Sequence, residues 1–510
     1  MTSASAWSVA LLGMDGQMVE VEAAIGGGLP RTIMVGLPDT ALYEARDRCR
    51  AAVAGVGLSW PSQLVTINLT PAALPKAGSH FDIAIVSAVL AASNVVPRDL
   101  LPTTAMFGEL GLDGRTRVAR GVLPAVLAAR ERGFHRVIVA AQQVREAHLV
   151  EGLTIWGVRD LADLVEVLNG RPVMLDPDPD PEPDAAPRTM PGGDLADVAG
   201  QPTARWALEV AAAGGHHLYL HGPPGVGKTM LAERLPGILP DLTPDQALEV
   251  SAIHSLAGID LSAGLVSRPP YSDPHHNVSM AGLVGGGPRM AKPGAISLAH
   301  RGVLFLDEAP EFGPRLIEAL RTPLERGAVT IGRADRHTTF PARFQLVLAA
   351  NPCPCGRAGT PGLVCECPPM AVRRYRDRLS GPILDRIDLQ VSMAPVRKAY
   401  LRHAATGDSS AQVGARVRQA RERQRARLRD TTWSINAEVP GAHLRSALPL
   451  PEGIDLLDAA LVRGQISSRG ADKCLRIAWT LADLAGRDRP GRDDVRTALM
   501  LRRGDWAGAA

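Results

Sequence analysis

Residues 221–230 read HGPPGVGKTM, and the interpretation of this stretch decides the fold. Gly222 is followed by four residues and then by Gly227, Lys228 and Thr229, the full G-x-x-x-x-G-K-[ST] spacing of a loop that cradles phosphates. Residues 217–220 (HLYL) suit a short buried strand, and residues 230–239 read as a helix ended by Pro240. At such a strand–helix junction, backbone N–H groups and the positive end of the helix dipole converge on an anion. Contact with ATP is therefore expected from Gly222, Pro223, Pro224, Gly225, Val226, Gly227, Lys228, Thr229 and Met230. Lys228 is placed to reach the β- and γ-phosphates and Thr229 to hold Mg²⁺. The chain has only five lysines and otherwise uses arginine, yet this position is lysine. A glycine–proline turn that binds nothing is the bland alternative, and four fixed positions in the right context argue against it.

Working outward, 510 residues are enough for roughly two to four domains, each with its own core. Hydrophobic content of 45%, charge of 21% and a net charge of +3 are ordinary for a soluble chain, so any nucleic-acid signal must come from local patches. No apolar run approaches twenty residues, and residues 1–13 (MTSASAWSVALLG) lack a basic segment followed by a long apolar one. Neither a membrane span nor a secretory signal is expected, and the cytoplasm is the expected compartment. Six cysteines in such a chain point to thiols or a metal rather than a disulfide framework.

The fold class expected is α/β. Residues 1–172 mix β-like runs (18–24, 32–35, 64–69, 136–140) with helical ones (40–56, 83–92, 123–132) and contain no phosphate loop. Residues 173–191 carry six prolines amid acidic residues and almost no bulky apolar side chain, so they read as an extended linker. Residues 192–395 hold the nucleotide chemistry, and residues 396–510 are mainly helical and arginine-rich.

Further motifs narrow the chemistry. Residues 302–308 (GVLFLDE) are an apolar strand ending in two acids: Asp307 suits Mg²⁺, and Glu308 suits activation of the attacking water. Residues 344–352 (FQLVLAANP) end another apolar strand at Asn351, placed to contact the γ-phosphate or the water. Residues 384–388 (LDRID) put Arg386 at a helix-to-strand junction. An arginine there either stabilises transition-state charge in a neighbouring subunit or simply pairs with Asp385 or Asp388.

In order, Lys228, Asp307, Glu308, Asn351 and Arg386 resemble the AAA+ ATPases, and within them the branch of magnesium chelatase and the MCM helicases. That branch inserts a hairpin between its two nucleotide motifs. Residues 274–299, glycine-dense and carrying Arg289 and Lys292, fit such an insert. Residues 329–340 (VTIGRADRHTTF) suggest a second hairpin with Arg333 and Arg336 near its tip. The resemblance makes these four basic residues DNA-contact candidates; otherwise they are ordinary residues of exposed turns. The strings GPPGVGKTMLAERLPGILP, SDPHHNVS, KPGAISLAHRGVLFLDE, ANPCPCG and GPILDRIDLQV are similar to the YifB/ComM family of magnesium-chelatase-like proteins over nearly the whole chain. The resemblance implies a homo-hexameric ATP- and Mg²⁺-dependent DNA helicase that acts on single-stranded or branched DNA and promotes branch migration during recombination, as in natural transformation. A chelatase-type remodelling ATPase acting on a protein partner is the alternative.

Residues 66–90 and 107–114 resemble the proteolytic domain of Lon, which uses a Ser–Lys dyad. Matching residue by residue puts His80 at the serine position, with Ser79 one place too early, and Leu123 near the lysine position. The expectation is a Lon-like domain that is not a protease.

Cys353, Cys355, Cys365 and Cys367 lie within fifteen residues and are candidates for Zn²⁺, although C-x-C pairs are tighter than the usual C-x-x-C; a redox-sensitive or unligated loop is the other reading. Residues 368–379 (PPMAVRRYRDRL) are arginine-rich. Residues 415–430 carry seven arginines against two acids, spread around the helix, which predicts a solvated lid or linker helix. Arg469 matches the sensor-2 position of the AAA+ lid, expected at the γ-phosphate, with Arg476 as the fallback. The architecture expected is thus a Lon-protease-like N-terminal domain, an AAA+ P-loop αβα module and a helical C-terminal lid domain.

Overall fold

The structure, a computed structural model, describes residues 2–36, 40–74, 76, 78–171, 173, 192–287, 291–333, 336–358, 364–395 and 407–505. Residues 2–12 (TSASAWSVALL) alternate small polar and apolar side chains and form β1 (Thr2–Leu12). A turn at Gly13 returns the chain into β2 (Asp15–Gly26), which pairs with β1 along its whole length, from Thr2↔Ile25 to Leu12↔Asp15. β3 (Arg31–Val35), β4 (Leu64–Thr70) and β5 (Thr104–Phe107) follow, then a small antiparallel pair, β6 (Glu109–Leu110) with β7 (Thr116–Arg117). β8 (Arg136–Ala140) and β9 (Thr154–Val158) complete a seven-stranded mixed sheet in the order β3-β4-β2-β1-β5-β8-β9. The helix Asp82–Ala92 (DIAIVSAVLAA) is apolar on nearly all sides, and every one of its residues is buried. Its Asp82 is paired with Arg48 at 2.9 Å and accepts the Leu110 N–H.

The second sheet is parallel. It comprises β10 (Leu218–His221), β11 (Tyr271–Ser272), β14 (Val303–Leu306), β17 (Gln345–Ala350) and β18 (Leu389–Ser392), in the order β11-β14-β17-β10-β18. β14 (VLFL) and β17 (QLVLAA) are buried at every position, as expected of strands covered on both faces. Two antiparallel hairpins leave this module: β12 (Gly285–Gly286) with β13 (Lys292–Pro293), and β15 (Ala328–Arg333) with β16 (Arg336–Pro341). They touch each other: a β-carbon on Gly285 would stand 2.9 Å from Ile331 Cδ1.

One hydrophobic core joins the nucleotide sheet to the C-terminal helices, running from Leu195 to Leu501 and including Leu218, Leu220, Val417, Leu475 and Trp479. The helix Ser410–Arg427 is correspondingly not the solvated helix its arginines predict. Arg421 is half-buried and donates to the Ala212 carbonyl at 2.6 Å. Arg416 pairs with Glu209, and Arg427 pairs with Asp483 while its guanidinium lies 4.4 Å from the Trp479 ring centroid. These partners come from distant segments, which is why a local count of charges missed them. A further core crosses from the N-terminal sheet to the nucleotide module through Val122, Leu123, Val250, Leu256 and Phe340. At this contact the Gly121 N–H donates to the Ser255 carbonyl at 3.1 Å. The proline-rich stretch 173–191 lies outside the described residues except for Val173. Among the described residues, no helix is long and apolar enough to cross a membrane.

His80 is packed between the Phe81 and Phe107 rings, 4.2 and 4.6 Å from their centroids, and donates from Nε2 to the Val9 carbonyl at 3.0 Å. Burial pulls its pKa from 6.5 down to about 4, against the opposing effect of that hydrogen bond. A neutral imidazole in the folded state and a protonatable one in the unfolded state fix the sign. The His80 contribution is complete above pH 6.5 and is lost as the pH falls toward 4. Replacing His80→Phe should flatten the acid limb of a stability–pH curve by about 3 kcal/mol across that window, read by chemical denaturation at several pH values. An unchanged slope would show that the imidazole is not held neutral.

Candidate nucleotide-binding site

The loop after β10 sits at the carboxyl edge of the parallel sheet, the edge where open α/β sheets bind ligands. Gly222 is there because β18 ends against it: a β-carbon at 222 would lie 2.4 Å from the Met393 carbonyl oxygen. Gly227, at φ +93°, caps the helix Lys228–Ile238 in a left-handed conformation that side chains disfavour. The result is a backbone cradle opening onto a helix N-terminus, the shape and polarity that suit a polyphosphate.

Three acceptors surround the Lys228 ammonium: the carbonyls of Gly222 at 2.7 Å and Pro223 at 2.9 Å, and Asn351 Oδ1 at 3.0 Å. Burial lowers the Lys228 pKa, and the nearby charges of Asp307 and Glu308 partly offset that. Asn351, at the end of β17, is thus brought to the same point as Lys228 by strand pairing, since β10 and β17 run side by side from Leu218↔Val347 to His221↔Ala350. The Thr229 hydroxyl donates to Asp307 Oδ2 at 2.6 Å. A hydroxyl and a carboxylate held this close are a hard-oxygen pair that fits Mg²⁺. Glu308 is exposed and adopts φ +49°, an uncommon conformation for a residue with a side chain and a mark of a constrained site.

One group near this edge was not singled out from sequence. His276 Nδ1 lies 3.8 Å from Glu308 Oε2, and its ring packs on His275 with centroids 4.0 Å apart. The string HHN between β11 and the first hairpin was visible, but nothing in its spacing ties it to residue 308.

The four cysteines come together beside the site. Cys353 Sγ lies 3.3 Å from Cys355 Sγ and 3.6 Å from Cys365 Sγ, and Cys355 Sγ lies 3.7 Å from Cys365 Sγ. All four sulfurs, Cys367 included, fall within 4.8 Å of one another. A tetrahedral thiolate site with metal–sulfur bonds of about 2.3 Å has edges of about 3.8 Å, whereas a disulfide brings sulfurs to about 2.05 Å. The donor set therefore fits a shared cation such as Zn²⁺. A backbone hydrogen bond at Arg357, helped by Cys353 and Cys367, lowers the Cys355 thiol to about 6.

Arg386 and Arg469 lie at the opposite, amino edge. Asp388, two residues after Arg386, accepts the His217 N–H at 2.8 Å just before β10 begins. At about 3.3 Å per residue, the four residues of β10 put the two edges roughly 13 Å apart. Arg386 is buried, paired with Glu325 and donating to the Pro382 carbonyl at 2.7 Å. It pairs with neither Asp385 nor Asp388. Arg469 stands 3.7 Å from both Glu325 and Asp385. Arg469, expected at the γ-phosphate, is carried by the helix Ser468–Leu484 to Glu325, the partner of Arg386, and not to Lys228. The fallback Arg476 lines the same cleft of about 940 Å³ and donates to the Val439 carbonyl at 2.7 Å. Behind them, burial alone would raise the Asp388 carboxyl, but Lys473, at 2.6 Å, and the neighbouring His217 and His216 hold it well below the usual range.

Of the basic residues expected on the hairpins, Lys292 is exposed at the start of β13. Arg333 and Arg336 face each other across the end of the β15–β16 pair, flanking the expected turn, and Arg289 lies outside the described residues.

Comparison with known proteins places these features. The family profile for magnesium chelatase, subunit ChlI, matches residues 194–401; two related profiles, subunit ChlI of Mg-chelatase and its C-terminal part, match residues 21–143 and 407–502. The chain is 52% identical to the protein Rv2897c of Mycobacterium tuberculosis over 505 residues, 98% of each chain. It is 40% identical to YifB of Escherichia coli, covering 97% of this chain and 96% of that one. It is 38% identical to the competence protein ComM of Haemophilus influenzae over 98% of each.

The Thr229–Asp307 pair yields a direct test. Asp307→Asn keeps a partner for the hydroxyl but removes the charge, so the Mg²⁺ concentration for half-maximal ATP hydrolysis should rise by about tenfold or more. An unchanged Mg²⁺ requirement would take Asp307 out of the metal site.

Proposed function

We propose a function from one premise: this chain belongs to the magnesium-chelatase-like family that includes YifB and the competence protein ComM. Membership in this AAA+ family implies an ATPase. The finer reading is a homo-hexameric DNA motor that couples ATP hydrolysis to branch migration on single-stranded or branched DNA during recombination. The competence protein ComM lends that reading its biological setting.

The observation that carries it is the pair of abutting hairpins, β12–β13 and β15–β16, with Lys292, Arg333 and Arg336 at or near their turns. Cations on adjacent projecting hairpins suit a phosphate backbone, which is recognised by charge without regard to sequence. In the same reading Lys228, Asp307, Glu308 and Asn351 act on the nucleotide of their own subunit, and Arg386 and Arg469 act on that of the next. Support comes from their positions on opposite edges of one sheet. The metals are Mg²⁺ at Thr229 and Asp307, and Zn²⁺ on the four cysteines. The N-terminal domain is Lon-like without being a protease: His80 is buried, the Ser79 hydroxyl is bonded to Glu109, and the Lys76 ammonium donates to the Gly36 carbonyl at 3.0 Å. A proteolytic dyad needs an exposed nucleophile and a lysine free to take its proton.

Branched DNA should stimulate ATP hydrolysis and be unwound, with Lys228→Ala inactive in both assays. The double substitution Arg333→Ala, Arg336→Ala should keep DNA-independent hydrolysis and lose unwinding. If branched DNA neither stimulates hydrolysis nor is unwound, the motor reading fails and remodelling of a protein partner replaces it.

Shared sites make a second expectation. Lys228→Ala and Arg386→Ala subunits, each inactive alone, should regain hydrolysis when co-assembled, because some interfaces then join an intact Lys228 to an intact Arg386. A mixture that stays inactive would place Arg386 outside the neighbour's site.

A further inference from the structure

The cysteine cluster stands between two pieces of the nucleotide site. On one side, Cys353 follows Asn351 by two residues, with only Pro352 between them, and Cys353 is fully buried. On the other, Gly356 turns the backbone at φ +74°, so close to the phosphate loop that a β-carbon there would lie 2.8 Å from Pro224 Cδ. The Ala358 N–H donates to Cys353 Sγ at 3.3 Å, and the Gly356 N–H donates to the Cys353 carbonyl at 3.0 Å, closing a tight turn around the first two sulfurs. Beyond Cys367 the helix Pro369–Asp377 begins, and its Tyr375, whose hydroxyl burial pushes up to about 12, comes back to the Asn351 backbone. Arg378, just past that helix, pairs with Glu311 at 2.7 Å, on the segment that follows Asp307 and Glu308.

The loop therefore touches the site through Asn351 and the rim of the cradle through Pro224, and the helix that follows it reaches the segment after Asp307 and Glu308 through Arg378. Apart from that turn, the described loop has no secondary structure between Asn351 and Pro369. Its shape depends on whatever joins the two C-x-C pairs. We propose that a cation bound by Cys353, Cys355, Cys365 and Cys367 is the strut that fixes Asn351 and Pro224 against the nucleotide, so that occupancy of the cysteine site sets catalytic competence at Lys228. This rests on reading residues 222–230 as the ATP site. Four thiolates leave no open position for water or substrate, so the ion acts structurally, and Zn²⁺, d¹⁰ and inert to redox change, suits that role. Its effect is on geometry: with the strut removed, the Asn351 amide and the Pro224 ring lose their common anchor, and with it one of the three acceptors of Lys228, while Thr229 and Asp307 keep each other.

The test uses the full chain. Elemental analysis should find one zinc per chain in the wild type and none in a Cys365→Ser, Cys367→Ser variant, two half-buried positions. Reversible chelation of the wild type avoids dependence on that variant folding. Removing zinc should lower kcat for ATP by about tenfold to a hundredfold, and adding Zn²⁺ back should restore it. Circular dichroism should stay unchanged throughout. Absence of stoichiometric metal would overturn the proposal, as would a metal whose removal leaves kcat and the affinity for a fluorescent ATP analogue untouched. If zinc-loaded protein binds no ATP analogue at all, the nucleotide reading has failed instead, and the proposal falls with it.

Discussion

β10 is hydrogen-bonded on both edges, to β17 along one side and to β18 along the other, with all three strands running in the same direction. That pairing is the constraint the rest of the site obeys. Parallel strands held in register must end together, so the loop after His221, the Asn351 after β17 and the Met393 after β18 arrive on one edge. β14 pairs with β17 in turn and brings Asp307 to the same edge. The ends of these strands are set by a backbone ladder that is itself buried.

The opposite edge is built on charge. Asp388 and Lys473 are both buried and paired at 2.6 Å, and the carboxylate also accepts the His217 N–H. Taking two charges out of water is costly unless both are well paired, so this contact ties β10, β18 and the helix Ser468–Leu484 into one arrangement more than it adds stability. The consequence for the cleft is rigidity. Arg386 has its backbone carbonyl held by Lys473 at 2.7 Å and its side chain held by Glu325 and Pro382. An arginine so constrained holds its planar guanidinium in one orientation.

The sequence made the carboxyl edge legible because its chemistry is encoded locally. The spacing of Gly222, Gly227, Lys228 and Thr229 and the acidic pair after an apolar strand each lie within ten residues. What escaped was whatever depends on tertiary packing. β1 was overlooked because TSASAWSVALL is too rich in small residues to advertise a strand, although it pairs with β2 along its whole length. The edge at which Arg469 stands was not legible, because its position on the helix is local and the docking of that helix is not. The arginines of Ser410–Arg427 read as solvated because their partners, Ala212, Glu209 and Asp483, lie at long sequence separation. His276 beside Glu308 carried no spacing signal at all.

The turn between β1 and β2 rests on the root of the second hairpin. A β-carbon on Gly13 would stand 2.8 Å from Thr338 Cγ2 and 3.1 Å from the Thr339 carbonyl, and Phe340 beneath it is fully buried. β16 is therefore not a free arm hinged only to the nucleotide module. It is gripped near its base by a turn more than three hundred residues away in sequence, through a contact too close to admit a methyl group at residue 13 without a shift. A tilt of the hairpin has to drag the N-terminal sheet with it or shear a packed apolar seam. The resting angle of the hairpin is thus fixed jointly by the N-terminal sheet and the nucleotide module.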